Sequence, residues 1–243
     1  MKAVSGQLLP IAQDAFRLLT FRLTPEQFER FGTGHLIFGL FFTWIVGIGR
    51  WWDDPGANIL QHLGLGSVIY VFVLTTVLVI VAAPLNPENW SYKQALTLVS
   101  LTSPPALLYA IPVERFTDVS TAASLNVWFL AVVATWRFAL LIYFYVRIAK
   151  LSFLGGIITA VLPIMGIIVL LTLLNLERAV FDVMGGLRKP GTASDSAYAV
   201  MVGLSVWSVI LFLPVGGTYI LLIAFRSARD RKRSREKMID SDE

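Results

Sequence analysis

The sequence predicts an all-α polytopic transmembrane helical bundle of about six spans with both termini cytoplasmic, and three observations predict it. Six long apolar stretches, joined by short polar connections, fill the chain from Phe31 to Phe225. Apolar residues make up 56% of the 243 positions and charged residues only 15%, far outside the usual balance of a water-soluble domain. Lysine and arginine are also divided unequally between alternate connections. In hydrocarbon every backbone N–H and C=O must be paired within its own segment, so uncharged runs near or above about 20 residues read as helices that cross. There is no cysteine, which excludes disulfides, thiolate metal sites and a cysteine nucleophile.

Taken in order, residues 1–30 read as a cytoplasmic amphipathic lead-in. Gln7, Pro10, Gln13, Asp14 and Arg17 break up any signal-peptide core, while Ile11, Ala15, Leu18 and Leu19 recur at the spacing of a helix lying in the membrane interface. Thr24, Pro25 and Gln27 fit the N-cap, first-turn proline and capping-box partner of a second, short helix. The bundle then occupies 31–225, with spans over 31–49, 63–83, 95–113, 124–146, 151–176 and 198–225, and 226–243 form a basic tail. With the N-terminus inside, 14 basic residues fall on the cytoplasmic side and five on the other, which orients the bundle by the positive-inside rule. Trp51, Trp52, Trp90 and Tyr92 sit at span ends, where amphipathic rings favour the headgroup level.

Chemistry-bearing patterns are sparse. Asp53 and Asp54, followed by Pro55-Gly56, fit either a capped turn or a divalent-cation site serving a lipid-modifying enzyme. His35 and His62 fall near opposite faces and so cannot share a ligand. Glu177, Arg178 and Asp182 suit an interfacial helical pair. Asn89-Trp90-Ser91 matches a glycosylation acceptor on the wrong side of the membrane for use. No nucleophile elbow, zinc-protease pattern or phosphate-binding glycine loop is present in the sequence, so neither an enzyme nor a bound cofactor or metal is expected.

The one charge inside a span is Arg137, and an ionisable residue at that depth is a functional candidate by default. Pro104 and Pro105 lack an N–H and deprive the carbonyls of Ser100 and Leu101 of helical donors; Pro163 does the same to Thr159, and Pro214 with Gly216 and Gly217 to Ile210. Counting along the spans puts Arg137 level with the Ser100 and Thr159 carbonyls. Kinks in three helices and the hydroxyls of Ser100, Thr102, Ser103 and Thr159 therefore predict a polar layer at mid-depth around Arg137. Two readings stand: Arg137 ties helices together through carbonyls, or its fork of donors binds an anionic solute or lipid group. The tail, with seven basic residues between Arg226 and Lys237, is expected to lie on the membrane against anionic headgroups. Gly156 with Ala160, and Ala199 with Gly203, form small-xxx-small pairs suited to contact between the last two spans or to a homo-oligomer or another membrane protein. Nucleic acid is not an expected partner.

The stretch from Ser91 through Tyr92-Lys93-Gln94-Ala95-Leu96-Thr97-Leu98-Val99-Ser100-Leu101-Thr102-Ser103 to Pro104-Pro105, followed by Asn126-Val127-Trp128-Phe129-Leu130-Ala131-Val132-Val133, resembles the middle of Yip1-domain membrane proteins. There a polar lead-in enters a span ending in a Ser/Thr-Pro step, and a Trp-containing span follows. About a third of the chain is covered, and six spans depart from the family's usual five. The resemblance implies a non-enzymatic membrane component: eukaryotic relatives are linked to small GTPases and vesicle traffic, and bacterial ones are mostly of unassigned role. It carries over no active-site residue. The expected setting is a bacterial cytoplasmic membrane, with a small transporter or channel as the competing reading.

Overall fold

The computed structural model describes residues 2–49, 59–174 and 194–240, all of them helix, turn or loop, with no strand among them. The helices are α1 (Lys2–Leu19), α2 (Pro25–Glu29), α3 (Thr33–Gly49), α4 (Ile59–His62), α5 (Leu65–Ala82), α6 (Tyr92–Leu101), α7 (Val119–Tyr143), α8 (Phe153–Leu173) and α9 (Ser194–Asp240). Four apolar stretches, Leu65–Leu85, Ser124–Ile148, Phe153–Leu170 and Val202–Arg229, are long enough to cross a membrane, and α3 is a shorter apolar helix.

The sequence-level capping signals act as physical chemistry requires. Thr24 caps α2 by accepting from the Gln27 N–H, while the Gln27 side chain takes the Thr24 N–H and Pro25 opens the first turn. Ser91 and Gln94 repeat this box at the start of α6. Between them these caps pair donors that the helix starts would otherwise leave without acceptors.

One arc of the lead-in packs into the bundle. Ala15, Leu18, Leu23 and Phe28 are buried in the main core with Leu85, Leu98, Phe144, Ile148 and Leu151. The turn after α1 is pinned along α7, where Trp136 Nε1 donates to the Leu19 carbonyl at 2.9 Å and the Tyr143 hydroxyl donates to the Leu23 carbonyl. Leu8, Leu9 and Phe16 remain exposed on the other arc of α1, so the helix carries one apolar arc toward protein and another outward.

The third expected span is not one helix. α6 stops at Leu101, and a 3₁₀ segment, Pro104–Ala110, replaces the α-helix where two successive prolines cannot donate. This composite runs beside α3 over its whole length: a Cβ on Gly39 would stand 2.9 Å from the Leu101 nitrogen, Thr43 meets Ser103, and Gly49 lies against Ala110. At the far end of α3, Gly47 abuts Gly64, the left-handed residue (φ +70°) that caps α5; a Cβ on Gly47 would come within 2.6 Å of the Gly64 carbonyl.

Pro163 and Pro214 lie inside unbroken helices, so of the three proline steps expected to kink, only Pro104–Pro105 interrupts its helix. Residues 226–240 of the basic tail continue α9 without a break. Where α9 leaves the bundle, Arg226 donates to the Asn86 carbonyl at 2.9 Å. Lys150 pairs with Glu88 at 2.6 Å nearby in the same set of connections, and the Glu88 N–H donates to the Ala149 carbonyl. Gly156 packs against Val146, in the turn that precedes α8, and Gly203 has open space around it, while α8 and α9 pack against each other.

Candidate functional site

Arg137 lies near the middle of the apolar stretch Ser124–Ile148, half-buried, and its Nε donates to the Thr102 hydroxyl at 3.3 Å. Thr102 stands at the step between α6 and the 3₁₀ segment, and it hands its own proton to the Val99 carbonyl at 2.7 Å. One hydroxyl therefore accepts from the guanidinium and donates to the backbone at once, which fixes the rotamers of both side chains. The depth count that set Arg137 level with this step corresponds to a contact.

The remaining predicted residues have other duties. Ser100 is fully buried, and its hydroxyl donates to the Thr97 carbonyl at 3.0 Å; its carbonyl accepts the Ser103 N–H at 3.1 Å. The expectation that the prolines leave the Ser100 carbonyl open is thus corrected, because the tighter 3₁₀ turn supplies a donor three residues on. Ser103 turns to α3, where its hydroxyl lies 2.7 Å from that of Thr43. Thr43 spends its single proton on the Gly39 carbonyl at 2.9 Å, so Ser103 is the donor across this helix contact. Thr159 is fully buried, and its hydroxyl donates back to Gly155 at 2.7 Å. The structure therefore joins Arg137 with Thr102, sets Ser100 and Ser103 beside them in sequence, and gives the Thr159 hydroxyl to its own helix.

Thr43 was missing from the sequence reading. A lone threonine in an apolar run looks like filler, but its spacing from Gly39 was the available signal: a glycine and a hydroxyl one turn apart mark a face that another helix approaches closely.

A second polar contact joins the lead-in to α3. His35 Nε2 lies 3.3 Å from Asp14 Oδ2, the Gly32 N–H donates to His35 Nδ1 at 3.3 Å, and the imidazole stacks on Phe31 with centroids 4.2 Å apart. With Nδ1 accepting, the ring proton sits on Nε2 and faces the carboxylate. Asp14 also pairs with Arg17. Asp53, Asp54, Glu177, Arg178 and Asp182 lie outside the described residues. Among the described residues no three His, Asp or Glu side chains gather in a metal-binding group.

Four apolar helices long enough to cross a membrane, with buried hydroxyls among them, mark a helical integral membrane protein. No family model, characterised protein or solved structure matches the chain.

Proposed function

We propose that this chain is a non-enzymatic integral membrane protein that organises or assembles other membrane components, the role implied by its resemblance to Yip1-domain proteins. One observation carries the reading. The buried hydroxyls of Thr43, Thr75, Thr97, Ser100, Thr102 and Thr159 each donate to a carbonyl three or four residues back in the chain. A nucleophilic hydroxyl needs its proton directed at a base; these six protons are directed at the backbone of their own helices. The proposal includes six crossings, both termini in the cytoplasm and a bacterial cytoplasmic membrane. For the broken third crossing, ten α-helical residues rise about 15 Å and seven 3₁₀ residues about 14 Å, close to the roughly 30 Å of hydrocarbon.

The Arg137–Thr102 contact favours a second reading, a carrier or channel with a mid-depth site for an anionic solute or lipid group. A positioned guanidinium recognises phosphate or carboxylate by paired N–H donors. Reconstitution into anionic vesicles separates the readings by three rates: lipid hydrolysis, lipid exchange between leaflets and efflux of an anionic dye. The first reading expects all three to match protein-free vesicles. It also expects a photo-cross-linker at the exposed Trp207 position to trap a discrete membrane partner in cells. Lipid hydrolysis would overturn it, and flux abolished by Arg137→Lys would transfer the assignment to the second.

A further inference from the structure

We propose that the bundle holds one internal water molecule bridging the indole N–H of Trp90 and the hydroxyl of Tyr145. Both polar atoms are shielded from solvent, and neither has a hydrogen-bond partner among the protein atoms. The two rings are neighbours, with centroids 5.2 Å apart at 50°, and both pack on Phe144.

The backbone supplies an independent reason to regard the site as built. Residues Phe144–Ile148 form a π-helical turn, closed by the Ala149 N–H donating to the Phe144 carbonyl at 2.9 Å. In an α-helix successive side chains diverge by about 100°, so one of two adjacent aromatics ordinarily turns outward. Here Phe144 and Tyr145 are both fully buried, and the wider turn carries the Tyr145 hydroxyl inward with its ring. A phenylalanine at 145 would fill the same space without a polar atom to satisfy.

The chemistry of the two groups selects the occupant. An indole N–H only donates, so the ligand must offer an acceptor; a phenol hydroxyl donates or accepts, so it completes a second bond in either sense. The core cluster that Tyr145 joins and Trp90 packs against contains Phe28, Leu85, Leu98, Ile148 and Leu151. A charged ligand would be stripped of hydration there without compensation. Water is the smallest neutral molecule that accepts from one group while bonding the other, and internal waters are held by two to four such partners.

The test uses the whole protein in detergent. The Trp90 indole N–H resonance, assigned by its loss in Trp90→Phe, should show a cross-relaxation peak to a bound water while exchanging slowly with bulk solvent. Tyr145→Phe, which preserves the ring, should remove that peak and raise the unfolding equilibrium constant about tenfold, the usual effect of deleting one partner of a buried hydrogen bond. The effect should shrink in a Trp90→Phe background. An indole signal without a water peak, or a Tyr145→Phe protein as stable as the parent or more so, would overturn the proposal.

Discussion

At the scale of single residues, Arg137 and Thr102 show how a charge is held inside a helical bundle. Because Thr102 also donates to Val99, replacing Arg137 does not strand the hydroxyl, whereas replacing Thr102 removes an acceptor from the guanidinium. Thr102→Val should therefore cost about 1.5–3 kcal/mol, the range for a hydrogen bond to a charged group, while Thr102→Ser keeps most of the stability. Denaturant unfolding in detergent measures both, and equal losses would contradict the assigned role. That Arg137 stands level with the step after α6 was legible in the sequence because position along a helix is a matter of counting. The identity of its partner was not. Proline arithmetic pointed to the Ser100 carbonyl, and only the change from α to 3₁₀ winding shows that Ser103 reclaims it.

Among the elements, capping was the most legible feature and packing the least. Thr24-Pro25-Glu26-Gln27 announces its helix because each residue type satisfies a particular group of the first turn. Thr24→Ala should cost about 1 kcal/mol, checked by hydrogen exchange in α2. The same cap acts on a neighbour: the bond with the Thr24 side chain holds the Glu26 carboxyl below its ordinary value of 4.5, followed by its own backbone N–H. A lowered carboxylate contributes stability above its unfolded value and loses it as pH falls through the folded one. Carbon-13 titration should accordingly place the Glu26 midpoint below 4.5, and Thr24→Ala should move it back up.

Hydropathy, by contrast, reads composition and not hydrogen bonding, so it drew one span across the break after Leu101 and could not tell which glycines touch a neighbour. Gly39 and Gly203 illustrate the difference. A methyl at Gly39 meets backbone at 2.9 Å and should cost about 1–3 kcal/mol as overpacking, whereas Gly203 faces open space, and alanine there should be neutral or slightly stabilising through helix propensity. Thermal unfolding of Gly39→Ala beside Gly203→Ala decides this, and a stable Gly39→Ala would refute the close approach of α3 to α6.

For the whole molecule, the described contacts gather Asn86 with Arg226 and Glu88 with Lys150, while Gly49 and Ala110 meet at the other end of α3. With 14 basic residues assigned to the first side against five, a reporter fused after Glu243 should be active only in the cytoplasm. Activity on the opposite face would reverse the map and remove the six-span proposal with it.

The length of α9 has a mechanical consequence. Forty-seven residues rise about 70 Å, more than twice the thickness of hydrocarbon, and the 14 residues after Arg226 account for about 20 Å of it. The Arg226–Asn86 contact marks where that last stretch begins. Changes in bilayer thickness are met by helix tilt, at a modest cost for each ångström of mismatch. A tilt of about 10° would swing the far end at Asp240 by some 3–4 Å relative to Arg226, turning membrane thickness into a displacement at the end of the helix.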